Sequence, residues 1–233
     1  MLDFHSHILP EIDDGAKDVE ESIAMLSMLK EQGVNAVALT SHYIAMDESP
    51  KDFLENRKKA FELLNNEIKE RDLSLPKLLL GAEVYYYHGI SKMEELPTLA
   101  LEGTNLLLLE MPMAPWGEYA FREIDELINT SSLNVVLAHI ERYFKYLKKG
   151  DIERLLDMGA LLQVNASFFL TRSTKRKALR MFKEDYLTFI GSDCHSTKHR
   201  PPRIGEATNI IKDKFGQESI DDFLKKQKDY LEF

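Results

Sequence analysis

Cysteine is almost missing from this 233-residue chain: there is one, Cys194. A single thiol excludes an intrachain disulfide, so no disulfide framework holds the fold. Long apolar runs are missing too, and none approaches the ~20 residues that cross a bilayer as a helix. The opening MLDFHSHILPEIDD has neither the basic start nor the apolar stretch of a secretory signal. Positive charge is in deficit, with 30 Lys and Arg against 39 Asp and Glu, a net charge of −9. Such a chain lacks the positive field that indiscriminate binding to nucleic acid or anionic membrane requires. An anionic substrate must therefore meet positive charge locally, from metal ions or a few arginines. The glycine-rich nucleotide motifs G-x-G-x-x-G after the first strand and G-x-x-x-x-G-K-[ST] are also absent. These absences lead us to expect a cytoplasmic globular protein, one domain over residues 1–233, with no nucleic-acid partner and no membrane insertion.

What is present is an alternation. Hydrophobic residues make up 44% of the chain, enough for one sizeable core. Short apolar runs predict strands at 2–4, 34–40, 77–84, 105–111, 134–139, 160–165 and 187–193. Between most of them lie amphipathic stretches, the pattern of βαβ units and a parallel sheet. The first helix is predicted from a capping box, Asp18 with Glu21, to a C-terminal cap at Gly33, with Val19, Ile23 and Leu26 as its stripe. Ser49 and Pro50 open a second helix, whose stripe is Phe53, Ala60, Phe61, Leu64 and Ile68. Further helices are expected around 118–131, 151–158 and 174–184, and two more after Gly205 with a break at Gly216. Both a barrel and an open doubly wound sheet satisfy this pattern.

Polar residues cluster at the C-terminal ends of these strands: His5 and His7, His42, Glu83, Glu110, His139, Asn165, then Asp193 and His195. Parallel strands bring such ends to one face, where βα loops build active sites. Five of the seven histidines stand in these positions. His5 and His7 lie two apart on an extended segment, so both can point to one side and share an ion. A set of imidazoles and carboxylates without a thiolate suits Zn, Mn or Fe(II).

The segment GSDCHSTKHR, residues 191–200, also fits the C-x5-R loop of cysteine phosphatases. Its surroundings argue against that chemistry. It has no glycine between Cys194 and Arg200 to form a phosphate-cradling nest, and Pro201 and Pro202 remove two amide donors directly after it. If Asp193 and His195 face the site, Cys194 between them faces away.

Several motifs in order resemble one family. DFHSHILPEIDDGA, SH at 41–42, GAEVYY at 81–86, LLLLEMP at 106–112, LAHIERY at 137–143 and GSDCHS at 191–196 are similar to the PHP superfamily of polymerases and histidinol phosphatases. More narrowly, they resemble the CpsB/YwqE-type bacterial tyrosine phosphatases of capsule and exopolysaccharide regulation. The resemblance covers essentially the whole chain. It implies a distorted seven-stranded β/α barrel of the TIM-like PHP type with a trinuclear centre, commonly manganese, with zinc, iron or magnesium as other divalent ions. Carried over position by position, its ligands are His5, His7, Asp14, His42, Glu83, Glu110, His139, Asp193 and His195. Asp14 comes from the resemblance alone; by spacing it reads as a turn residue before Gly15. The resemblance also implies that Arg142 and Arg200 bind phosphate, that the substrate is phosphotyrosine, and that the partner is a bacterial tyrosine kinase. Another PHP phosphoesterase (a histidinol phosphatase or nuclease) and a non-catalytic PHP binding module are the rival expectations.

Overall fold

The structure, a computed structural model, describes residues 1–130 and 132–231. In chain order its elements are β1 (Leu2–Asp3), α1 (Val19–Glu31), β2 (Ala36–Leu39), β3 (His42–Tyr43), α2 (Pro50–Glu70), β4 (Lys77–Leu80), β5 (Glu83–Tyr85), β6 (Leu106–Glu110), α3 (Glu118–Thr130), β7 (Asn134–Leu137), α4 (Asp151–Asp157), β8 (Leu161–Asn165), α5 (Ala166–Leu170), α6 (Lys175–Lys183), β9 (Phe189–Gly191), α7 (Ile204–Phe215) and α8 (Gln217–Lys228). Every strand pair is parallel. One sheet has the order β1-β2-β4 and the other β3-β5-β6-β7-β8-β9. Backbone bonds also join the first strand segment to the last. Phe4 N–H donates to the Ile190 carbonyl (3.4 Å) and Asp193 N–H to the His5 carbonyl (2.7 Å). The result is an α/β fold with a curled parallel sheet.

The expected single strand over 77–84 is two strands in different sheets, and the run after 34 likewise bends before β3. Bends at Thr40–Ser41 and Gly81–Ala82 therefore give more strand segments than the seven runs predict. A side chain at Gly81 would crowd Leu101 and Thr40, at 3.3 and 3.4 Å. The carbonyl freed at the second bend is not left bare: buried Arg57 of α2 donates Nη1 to Gly81 O at 2.8 Å. Arg57 thus sits on the α2 stripe where periodicity led us to expect only apolar residues. In α1 the buried face is Ser22, Met25, Leu26 and Leu29, so Val19 and Ile23 lie at its margin. Asp18 accepts from Glu21 N–H (2.8 Å) and Ser49 from Asp52 N–H (3.2 Å), but the capping box is half formed, because Glu21 Oε1 accepts Thr197 N–H (3.2 Å) instead of reaching back to Asp18. The short helix α5 was not predicted.

The apolar strands divide their side chains between two cores. Val37, Leu39, Leu107, Leu109, Val135, Leu137, Leu162 and Val164 face the helices. The alternate residues, including Phe4, Ala38, Leu106, Leu108, Val136 and Phe189, fill the inside of the curl. Strands covered on both sides need hydrocarbon on both faces, which is why they read as unbroken apolar runs. Phe4 and Phe189 stack there with ring centroids 3.9 Å apart. Tyr230 and Leu231, just beyond α8, pack against this inner core from the chain's end, and Ile220 and Phe223 of α8 are buried against the body. Among the described residues no helix is long and apolar enough to cross a membrane.

Candidate metal centre

Inward positions change from hydrocarbon to polar along each strand. The series are Leu106, Leu108, Glu110; Leu161, Gln163, Asn165; and Phe189, Gly191, Asp193. Side chains two apart share a face, so the alternation that fills the curl below also delivers donors above. All nine residues proposed as ligands come together at this end.

Their donor atoms form three overlapping groups, each within 4.8 Å: His7, Asp14, His42 and His195; His5, His7 and Asp193; His42, Glu83 and Glu110. His139 joins through Glu83 (2.9 Å) and Glu110 (3.4 Å). Glu83 is the hub, with one oxygen 3.1 Å from His5, 3.3 Å from His7 and 3.1 Å from His42. His5, His7, Glu83, His139 and Asp193 are buried, whereas Asp14 is 68% exposed. Asp14, absent from the strand-end reading, lies 3.3 Å from His195 Nε2 and 3.5 Å from His42 Nε2.

Residues outside the proposed set fix the ring orientations. His7 Nδ1 faces the Asp13 carboxylate at 2.8 Å, which can only accept. His5 Nδ1 faces Gln163 Oε1 at 3.2 Å. That amide's orientation is set because Oε1 also accepts His139 N–H (2.6 Å) while Nε2 donates to Asn165 Oδ1 (3.0 Å). Both histidines therefore carry their ring proton on Nδ1 when neutral. Their Nε2 lone pairs then meet at 3.1 Å in a buried space. Two such lone pairs repel unless a proton or a cation stands between them. Divalent cations fit this donor set, and outer partners of this kind set imidazole tautomers at metal sites.

Asn165 extends the chain of bonds by donating Nδ2 to Asp193 Oδ2 at 2.7 Å. Asp193 also receives Arg142 and, at 2.5 Å, Arg200. Both arginines are part-exposed, so they lie on the solvent side of Asp193. Arg200 Nη1 lies 2.8 Å from His195 Nε2. Two of the proposed ligands hold left-handed backbone, His139 at φ 31° and Asp193 at φ 52°, a strained conformation for a residue with a side chain. Gly15 and Gly191 allow the close approach around them. A Cβ on Gly191 would sit 2.5 Å from His5 Cβ and 2.8 Å from Gln163 Nε2, and one on Gly15 would sit 2.1 Å from the His7 carbonyl oxygen.

The electrostatics follow from this crowding. Burial opposes the Glu83 charge, but His5, His139 and His42 hold its carboxyl well below the usual range. Burial likewise opposes charge on His7, yet the Asp13 and Glu83 carboxylates hold its imidazolium up to about 9. His195 is pushed down to about 4 by burial, His7 and Arg200. Glu141, beside Arg142 in sequence, is pushed up to about 7 by burial, and its Oε1 accepts Asn165 N–H at 3.1 Å.

Cys194 is elsewhere. It is fully buried in the helix-side core and burial pushes its thiol far up. No helix starts at Arg200; α7 begins at Ile204. The aromatics after the ligand-bearing strands divide in role. Trp116 packs on Tyr143 and Phe121, and Tyr86 OH is bonded to Glu123. Tyr85 is exposed and two residues beyond Glu83 on β5, hence on the same face. Asp13, Gln163 and Gly191 were legible only weakly: Asp13 as the neighbour of Asp14, the others by their two-residue spacing from Asn165 and Asp193.

Fold and site together define an α/β protein similar to the PHP type, with a His/carboxylate centre at the C-terminal ends of parallel strands. The chain belongs to the capsular polysaccharide synthesis CpsB/CapC family, whose profile matches residues 1–231. It is 32% identical to tyrosine-protein phosphatase CpsB of Streptococcus agalactiae, over 94% of this chain and 92% of that one. It is 27% identical to tyrosine-protein phosphatase YwqE of Bacillus subtilis, over 94% and 86%. A crystal structure from work on YwqE of B. subtilis and CpsB of Streptococcus pneumoniae, metal-dependent tyrosine phosphatases, matches with TM-score 0.86 at 25% identity, covering 99% of this chain and 94% of that one. The fold alone is shared with a histidinol phosphate phosphatase of Lactococcus lactis, at TM-score 0.56 and 17% identity.

Proposed function

We propose that this protein is a metal-dependent phosphatase of phosphotyrosine in proteins, active in the cytoplasm on a bacterial tyrosine kinase of capsule or exopolysaccharide synthesis. The observation that carries the metal reading is the convergence of the His5 and His7 Nε2 atoms at 3.1 Å beside Glu83 and Asp193. The phosphotyrosine reading follows from kinship with CpsB and YwqE. With it we propose a distorted seven-stranded barrel and manganese as the metal, held by His5, His7, Asp14, His42, Glu83, Glu110, His139, Asp193 and His195; their convergence supports the ligand set.

When bound, divalent cations supply Lewis acidity to phosphate oxygens and activate water for attack on phosphorus. The chain's own residues do the remaining work. Arg142 and Arg200 lie on the solvent side of Asp193 with guanidinium donors left over for phosphate, offsetting charge on its equatorial oxygens. Asp13 and Gln163 hold the two histidines in one tautomer. The hydrocarbon beneath, from Phe4, Leu108 and Phe189, keeps water out from below. Tyr85 offers an aromatic edge for the substrate ring. The phenol leaving group, with a pKa of about 10, needs less protonation than an alkoxide. Cys194 takes no part, so no phosphocysteine forms.

The test is turnover of a phosphotyrosine peptide by wild type and Cys194→Ser, before and after EDTA and with manganese restored. Activity should survive the substitution, vanish with EDTA and return with manganese. Loss in Cys194→Ser together with indifference to EDTA would overturn the reading. Histidinol phosphate and single-stranded DNA, tested alongside, should be poor substrates.

A further inference from the structure

The chain is acidic, yet one part of its surface is not. Residues 171–183, TRSTKRKALRMFK, hold six Lys or Arg and no acid, and residues 145–149, KYLKK, hold three more lysines. All nine are exposed. Among the described residues Arg180 is the only one of them with an ion-pair partner, Glu184 at 3.4 Å. Some exposed cations elsewhere on this protein are paired, as Arg71 is with Glu67 and Glu20. A like-charge cluster of nine cations with one ion pair among them repels itself, and an anionic occupant would relieve that repulsion.

The two segments form one surface. Lys177 Nζ of α6 sits 3.1 Å from the Phe144 ring centroid. Between α4 and α6 runs a groove of about 330 Å³ whose lining includes Phe144, Leu147, Lys148, Lys149, Lys177 and Arg180. One carboxylate, Glu153, also lines it and is engaged by Tyr186 OH at 3.4 Å. Along the chain the groove begins close to site residues. Phe144 follows Arg142 by two residues, on the connection that leaves His139 at the end of β7. The α6 segment follows β8, which carries Gln163 and Asn165.

We propose that this groove docks an acidic stretch of the substrate protein, close in sequence to the phosphotyrosine that occupies the metal centre. The inference rests on the phosphotyrosine reading above. Half-buried Phe144, Leu147 and Ile152 floor the groove with apolar contact, and the cations select carboxylates. Such complementarity acts on encounter and specificity more than on chemistry, so it belongs in KM rather than kcat.

The test uses manganese-loaded protein and three substrates: a phosphotyrosine peptide with Asp/Glu flanks, the same peptide with Gln flanks, and p-nitrophenyl phosphate. Wild type should prefer the acidic peptide at least tenfold in kcat/KM at low salt, through KM. The preference should collapse in 0.5 M salt and in the combined Lys148→Gln, Lys149→Gln, Lys177→Gln, Arg180→Gln variant. Turnover of p-nitrophenyl phosphate by that variant should stay within twofold of wild type, which also shows that it folds. Equal use of the two peptides by wild type, or a preference that the variant retains, overturns the proposal. So does variant-sensitive binding to phosphatidylserine vesicles without any peptide preference, which assigns the patch to a membrane. Absence of all aryl-phosphate turnover with manganese defeats the phosphatase reading instead. Fluorescence anisotropy of the unphosphorylated acidic peptide still reads the groove in that case: binding lost in the variant supports docking, and no binding by wild type overturns it.

Discussion

Asp13 and Asp14 are neighbours with different tasks. Asp14 faces His195 and His42 with its side chain largely exposed, while Asp13 is turned inward to His7 and also accepts His42 N–H at 3.0 Å. Burial opposes the Asp13 charge, but His7 holds its carboxyl down to about 2, so it stays an acceptor across the physiological range. Asp13→Asn should therefore weaken manganese binding ~10–100-fold, the usual effect of losing an outer partner, as read by calorimetric titration of the metal-free protein. Gln163→Leu should do the same through His5 and the backbone at His139. Its circular dichroism should stay close to wild type, because leucine suits the hydrocarbon below. Strand-end spacing exposes His5, His42, Glu110 and His139 in the sequence, since a polar residue ending an apolar run is conspicuous. Asp13 and Asp14 are hidden because they lie on a loop whose path no periodicity encodes. Gln163 is hidden because a lone amide inside a strand has many ordinary explanations.

At the level of elements, the caps and helix limits were readable because they depend on a few adjacent residues. The bends between β2 and β3 and between β4 and β5 were not. KLLLGAEV has the composition of one continuous strand, and the bend depends on Arg57, twenty-four residues before Gly81. Arg57→Met should keep the packing against Phe53 but leave the Gly81 carbonyl without its donor. A loss of ~1–3 kcal/mol is expected for a buried carbonyl so exposed, measured by urea unfolding. The bend also sets where Glu83 begins β5, so the same variant should lower metal affinity. Gly191 carries a second element-scale prediction. Gly191→Ala forces a methyl against His5 and Gln163, and overpacking of this kind costs ~1–3 kcal/mol. Manganese affinity should fall with stability, and Gly191→Ser should be worse than alanine in both measurements.

For the whole molecule, the sequence made the α/β class and the shared end of the strands legible, because parallel sheets leave unbroken apolar runs. How the sheet divides and curls was not legible, because closure depends on long-range pairs such as Ser6 with Cys194. The inner core supports the centre from beneath. Leu108→Ala should cost ~2–5 kcal/mol in unfolding free energy, and the cavity lies two residues below Glu110. The plug of hydrocarbon beneath the donor cluster has a further consequence for traffic. That hydrocarbon backs the centre from below, and Arg142 and Arg200 stand part-exposed on Asp193. On the proposed roles of Arg142 and Arg200, phosphate released by hydrolysis is held by the same two guanidinium groups that receive the next substrate. Inorganic phosphate should accordingly inhibit competitively, and Arg200→Lys should raise its inhibition constant along with KM, because both report the same guanidinium contacts.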